Sequence, residues 1–331
     1  MYKTITSVSY GMWSEELLMQ NAPIVFIHMG NQRYLRKVIK QAELYNRDVF
    51  LVGDQSNKTF ARKWISANKL EIEDFNHFES LYIHMSTNTY EFELGCIKRY
   101  YLLKAFMEKQ NLDMCFMLDS DVCIYSDLNR EIDCHNAVAL SAPDNGIPNL
   151  WCMSPHCSFW KKDFLDSFIK YIEKLYKMHD LRLEKLWNYY CQNNMNGGIS
   201  DMVLLHMWIK EKKIVWKNLA SIDGTKVFDD NISSLSNYKG QLFQSRKVWG
   251  NRYLKKIVFE DGLPYFYTID QKKVRSCIIH AQGENKMYIS IFTKCRNWDI
   301  SYFLTVIYHD STEWFCKNTR LGNVIRAKRK K

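Results

Sequence analysis

Long apolar runs are missing from this 331-residue sequence. No window reaches the ~20 residues that span a bilayer, so no membrane-spanning helix is expected. The opening residues, MYKTITSVSYGMW, contain no apolar signal core, and a cytoplasmic protein is the expectation. The 10 cysteines form no C-x-x-C pair and no regular framework, which is the pattern of reduced thiols rather than of a disulfide scaffold. Internal repeats, low-complexity linkers and marked composition shifts are absent too. Residues 1–315 are therefore expected to form one domain, ahead of a basic tail at 316–331. Glycine is scarce beside the first strands, where only Gly30 and Gly53 are available. That is too few for a glycine-rich phosphate loop, and it counts against a nucleotidyl- or phosphotransferase built on one.

Charge of one sign is scarce as well, once it is localised. The net charge of +10 suggests a polyanion partner, but residues 317–331, KNTRLGNVIRAKRKK, hold seven Lys or Arg and no acid. Without them 39 basic residues face 36 acidic ones, about +3, and no nucleic-acid partner is expected for the body. The tail reads either as solvated sequence or as a peripheral contact with anionic lipid head groups. What the chain does have is a full apolar complement: 47% hydrophobic residues and 15% aromatics, enough for a large bulky core.

Strand and helix patterns alternate along the chain. Residues 23–29 (PIVFIHM) form a continuous apolar run closed by Gly30-Asn31, as a buried parallel strand would be. A helix is expected over 32–45 and a strand over 49–52, closed by Gly53-Asp54. Residues 57–78 read as helical and then irregular, and 91–110 as a long helix. Residues 114–118 and 137–142 read as strands, and an amphipathic helix is expected around Phe164–Tyr176. A further helix covers about 200–212, and 274–279 is the best of the short strands in the last third. This alternation predicts an α/β fold with a mixed, mainly parallel sheet and helices on both faces. Ligands gather at the carboxyl ends of such strands, where Gly30-Asn31, Gly53-Asp54, Asp119-Ser120-Asp121 and Asp144 all lie.

Two stretches carry chemistry. In FMLDSDVCIYSDL, Asp119 and Asp121 sit one residue apart where a strand leaves the core, and in extended chain they project to one side. Carboxylates that close repel one another unless a proton, a cationic side chain or a metal lies between them. A D-x-D segment is either a turn or a site for a hard divalent ion, and alone it does not decide. The second stretch, CIIHAQGENKMY, brings His280 to a strand end, with Gly283 and then Lys286 at three-residue steps. An imidazole can complete a carboxylate metal site, a glycine lets backbone N–H groups approach phosphate, and an ammonium neutralises its charge. Taken alone, His280 reads as a core histidine.

Together, D-x-D after an apolar strand and H-x-x-G-x-x-K near the C-terminus resemble the GT-A-fold, nucleotide-sugar-dependent glycosyltransferases. The pattern is most similar to the glycogenin and lipopolysaccharide galactosyltransferase family. The resemblance runs over about residues 23–290 and implies a GT-A (Rossmann-like) fold. It implies transfer of a sugar from a nucleoside-diphosphate sugar, UDP-linked for preference, to a hydroxyl of a glycan or lipid-linked acceptor. Asp119, Asp121 and His280 match the metal ligands, for Mn²⁺ or Mg²⁺, while Gly283 and Lys286 match the diphosphate loop. Arg99, or else Lys98, stands at a place compatible with the family's basic residue before the D-x-D. Asn196, Gly197 and Gly198 fit its Asn-small-Gly segment. The stretch Ala139–Asp144 (ALSAPD) loosely resembles the family's Ala-x-x-Asp strand end on the donor-sugar side, which makes Asp144 a catalytic candidate beside Asp201. The resemblance also assigns Ser120, and the region of His28, Gly30, Asn31 and Asp54, to the donor, with Tyr34 either stacked on the base or in the core. Asp201 is the candidate base for an inverting reaction, a sugar-positioning residue for a retaining one, or simply the N-cap of a helix starting near Met202. Retention is the weakly favoured outcome. The sequence departs from the family at Met287-Tyr288, where Pro-Trp is usual, and it has no evident Asp-Gln-Asp segment. A GT-A-like glycan-binding protein without catalysis remains the non-enzymatic alternative.

Overall fold

Strand Ile24–His28 (β1) runs into helix Arg33–Tyr45 (α1), whose Leu35, Val38, Ile39 and Ala42 recur at helical spacing and are all buried. The computed structural model describes residues 21–133, 137–142, 152–238, 240–249 and 252–297, with 304, 307 and 308. Strands Val49–Gly53 (β2) and Lys63–Ser66 (β3) follow, then helices Glu73–Leu81 (α2) and Tyr90–Lys109 (α3). The Thr89 hydroxyl oxygen accepts the Phe92 amide at 3.3 Å and caps α3, supplying a partner to one of the free N–H groups of its first turn. Met114–Leu118 (β4) leads through Asp119-Ser120-Asp121 into Val122–Ile124 (β5), the short helix Leu128–Glu131 (α4) and Val138–Ser141 (β6). Next come Ser154–Lys161 (β7), Lys162–Lys177 (α5), Leu181–Gln192 (α6) and Asp201–Lys212 (α7). Strands Trp216–Asn218 (β8), Lys226–Phe228 (β9), Ser245–Trp249 (β10), Arg252–Lys255 (β11), Ile257–Glu260 (β12), Leu263–Tyr267 (β13) and Lys273–His280 (β14) precede the short helix Ile289–Phe292 (α8).

The large sheet has the order β3-β2-β1-β4-β7-β6-β8 and is mixed and mainly parallel: only β7 runs antiparallel to its neighbours β4 and β6. Its strands alternate between two cores. Ile24, Phe26, Phe116, Leu118, Cys157 and Phe159 face α1 and the smaller sheet. Val25, Val52, Cys115, Met117 and Trp160 face α2, α3, α5 and α7. Burial on both sides explains the unbroken apolar runs of β1 and β4. The smaller sheet, β12-β13-β14-β5 with β9 beside β14, packs on the α1 side. Among the described residues no helix is long and apolar enough to cross a membrane, and every described cysteine is a free thiol.

Three expectations need correction. Residues 57–78 are not helical and then irregular: they contain β3, paired in parallel with β2, before α2 starts at Glu73. The eight-residue β7 and the helix α6 fall where no element was expected. Strand β7 escapes pattern reading because it is buried on both faces and includes Ser154, His156 and Ser158, which look like surface residues in sequence. Asp144 and the tail at 316–331 lie outside the described residues.

Candidate active site

The chain leaves the large sheet at Leu118 and enters the smaller one at Val122, so the D-x-D segment is the crossing between two sheets. The Val122 amide donates to the Asp119 carbonyl at 3.2 Å and closes a tight turn there. The segment is thus a turn, and the turn carries both carboxylates. Register does the rest. In the antiparallel β5–β14 pair His280 stands opposite Val122, and the Ala281 amide donates to the Asp121 carbonyl at 3.0 Å. That sets His280 Nε2 3.5 Å from Asp121 Oδ1. One ligand atom from each of Asp119, Asp121 and His280 lies within 4.8 Å of the others.

Cationic side chains flank this triad. Lys286 Nζ donates to Asp121 Oδ2 at 2.9 Å. Arg99, from the middle of α3, donates through Nη1 to Asp119 and through Nη2 to Asp201 Oδ2 at 2.7 Å. Tyr100 donates its hydroxyl to the same Asp201 oxygen at 2.9 Å. Burial opposes ionisation of Asp121, but the hydrogen bond and charge of His280 and the Lys286 ammonium win and hold it far below the usual carboxylate range. For His280, burial pulls the imidazole down, and the hydrogen bond and charge of Asp121 raise it to about 9. Lys286 follows the same logic: burial lowers it and the Asp121 charge raises it further.

His280 is held from behind. Its Nδ1 donates to the Asp230 carbonyl, its backbone N–H donates to Asp229 Oδ2 at 3.0 Å, and His156 stacks on its ring at 4.2 Å between centroids. The Nδ1–H bond leaves Nε2 as the nitrogen that presents its lone pair toward Asp121 when the ring is neutral, the form a metal ligand takes. Two carboxylates and one oriented imidazole are a donor set that Mn²⁺ or Mg²⁺ accepts, so these residues fit a divalent cation. His156, Asp229, Asp230 and Lys255, which complete this support, were not anticipated. The adjacent acids in FDDN were a visible signal, but nothing local linked them to His280, about fifty residues on.

All of this opens on a cavity of about 1220 Å³, walled by His28, Arg99, Asp119, Ser120, Asp121, Gly197, Gly198, Asp201, His280 and Lys286 among others. Gly30, Asn31, Asp54, Asn196 and Gly283 lie outside its wall. The Asp54 carboxylate is turned inward: it accepts the Gly30 amide at 2.6 Å and the Ser56 amide at 2.8 Å, tying the ends of β1 and β2 together. Tyr34 is half-buried and shares a 3.3 Å hydrogen bond with Ser120. Lys98 sets its ammonium over the Phe75 ring, so Arg99 is the basic residue engaged with the D-x-D. Gly198 is required by packing: a Cβ there would sit 2.2 Å from the Met85 carbonyl oxygen, where residues 85–87 and 197–199 exchange backbone hydrogen bonds. Gly283 opens the 3-10 turn Gly283–Tyr288 at φ +62°, a left-handed conformation that favours glycine. Asp201 is not an N-cap. It is the first residue of α7, with Ser200 before it, and its carboxylate turns back to Arg99 and Tyr100.

No protein-family model matches the sequence, and no curated protein sequence matches it. Solved structures similar to it include mouse xyloside xylosyltransferase 1 in its apo form, at 9% identity and a TM-score of 0.38, covering 60% of this chain and 84% of that one. A glycosyltransferase involved in glycosylation of the major capsid of PBCV-1 matches at 15% identity and a TM-score of 0.30, covering 60% of this chain and 83% of its own. The galactosyltransferase LgtC in complex with donor and acceptor sugar analogues matches at 13% and 0.33, covering 60% and 74%. All three are glycosyltransferases.

Proposed function

We propose that this chain is a divalent-metal-dependent glycosyltransferase of GT-A type, moving a sugar from a nucleoside-diphosphate sugar, with UDP as the favoured nucleotide, to a hydroxyl of a glycan or lipid-linked acceptor. The observation that carries the reading is the meeting of Asp119, Asp121 and His280 with Lys286 and Arg99 on one cavity wall, where the large sheet ends. A resident Mn²⁺ or Mg²⁺, held by the two aspartates and His280, would supply Lewis-acid neutralisation of diphosphate charge. Lys286 lies beside Asp121 and adds a positive charge where the leaving diphosphate becomes more anionic. Arg99, locked between two carboxylates, fixes Asp119 and Asp201 in place. With Arg99 and Tyr100 both on its Oδ2, Asp201 suits orienting the site better than taking a proton, which favours retention over inversion. Ser120, His28, Gly197 and Gly198 border the donor, and Asp144 remains a catalytic candidate on the strength of the resemblance. We also assign the protein to the cytoplasm, with tail residues 316–331 as its contact with anionic membrane surfaces.

Thermal shift with UDP and UDP-sugars, with and without Mn²⁺, tests this reading directly. Binding stabilises by mass action, so nucleotide should raise the midpoint in the presence of Mn²⁺ and far less without it. Asp121→Ala should erase the metal-dependent part and abolish sugar transfer while leaving a folded protein. Full transferase activity in EDTA would overturn the metal assignment.

A further inference from the structure

Helix α3 presents a further, buried carboxylate to the cavity. Glu93 is only 1% exposed, yet it lines the wall, and its Oε1 accepts the Ser86 hydroxyl at 2.7 Å and the Asn88 amide at 2.8 Å. Among the described residues no Lys, Arg or His side chain forms an ion pair with it. Buried carboxylates are costly when uncompensated, and here two neutral donors and the positive N-terminal end of α3 are the available compensation. Asp121, Asp119 and Asp201, in contrast, are each tied to a cation.

Position is the second observation. Glu93, Cys96 and Arg99 recur at three-residue steps along α3, and all three line the cavity. Six residues at 1.5 Å per residue put Glu93 about 9 Å along the axis from Arg99, on the side away from β4. Next to it Phe92 is 60% exposed and lines the same cavity, as do Asn88 and Tyr190. The cavity, at about 1220 Å³, also exceeds the roughly 300–1,000 Å³ that serves a single small ligand. An exposed aromatic face, an amide and a buried carboxylate with spare acceptor capacity suit a ring that is apolar on one face and hydroxylated at its edge.

We infer that the N-terminal half of α3 is the acceptor-sugar subsite: Phe92 stacks on the sugar ring and Glu93 accepts a hydrogen bond from one of its hydroxyls. This rests on the transferase reading above, and it names the acceptor class and the residues that select it. The carboxylate of Glu93 discriminates hydroxylated rings because a ligand lacking the hydroxyl leaves it buried with one donor fewer.

The test uses the full chain with UDP and Mn²⁺, probed by saturation-transfer NMR with the methyl glycosides of glucose, galactose, mannose, N-acetylglucosamine and xylose. At least one glycoside should bind, and Glu93→Gln, near-isosteric, should weaken that glycoside at least tenfold. Phe92→Ala, at an exposed position, should weaken it severalfold and guards against a folding artefact. Both variants should bind UDP and Mn²⁺ within about twofold of the parent. Glycoside binding unchanged in both variants, or no glycoside binding to a parent that binds UDP and Mn²⁺, overturns the subsite. Failure of the parent to bind UDP and Mn²⁺ overturns the transferase reading instead.

Discussion

Lys255 buries its ammonium completely and gives each of its donors a partner: Asp229 Oδ1 at 2.6 Å, the Asn231 carbonyl at 2.7 Å and Asn237 Oδ1 at 2.6 Å. The other oxygen of Asp229 takes the backbone N–H of His280, so the buried pair is one bond removed from the metal-ligand candidate. Removing the cation strands a carboxylate that has no exposure. Lys255→Met should therefore cost about 3–5 kcal/mol of stability, read by urea denaturation. Loss of the support behind His280 should also weaken Mn²⁺ binding by about 10–100-fold, measured as free Mn²⁺ by electron paramagnetic resonance. A variant with Mn²⁺ affinity unchanged would show that Lys255 holds only the fold.

At the scale of elements, Glu131 at the end of α4 ties three segments together. It accepts from Arg275 of β14 at 2.6 Å and from Lys226 of β9 at 3.2 Å, and its own carbonyl accepts a second bond from Lys226 at 2.9 Å. Burial alone would raise its pKa, but the Arg275 and Lys226 hydrogen bonds and charges lower it overall. A depressed folded pKa means that this stabilisation is present above the unfolded value of about 4.3 and is lost as pH falls through the folded value. Glu131→Gln should thus cost about 1–2 kcal/mol at pH 7, and the gap to the parent should close on acidification below about pH 4. Melting curves from pH 3 to pH 7 check this, and a gap that widens in acid would reverse the sign of the argument.

The whole molecule is electrostatically lopsided in sequence, with a body near +3 and seven basic residues over 317–331. Near an anionic bilayer each such residue contributes roughly 1 kcal/mol at low salt, and the attraction falls away within a Debye length. Truncation after Phe315 should leave donor binding unchanged but reduce sedimentation with phosphatidylserine-containing vesicles. Added salt should have the same effect on the full chain. Equal sedimentation of both forms at low salt would reduce the tail to solvated sequence.

The sequence alone determined what depends on local pattern. Continuous apolar runs marked β1, β2, β4 and the core of β14, and helical spacing marked α1, α3, α5 and α7. Strand ends are legible because turns need residues such as Asp119 and Gly283 just where apolar sequence stops, and those residues also carry the chemistry. What tertiary structure decided is pairing between distant segments. The register of His280 against Val122 made a turn aspartate and a core-like histidine into one cluster. The antiparallel β7 was hidden because its polar residues are satisfied inside the core, with His156 bonded to Ser154 and to the Asp229 carbonyl. Asp201 was legible as a helix-start acid but not as the anchor of Arg99, since that contact joins residues 102 apart in the chain. Glu93 shows the limit most clearly. In sequence it is one more acid in the first turns of a helix; only burial without a cation, on a cavity wall, sets it apart.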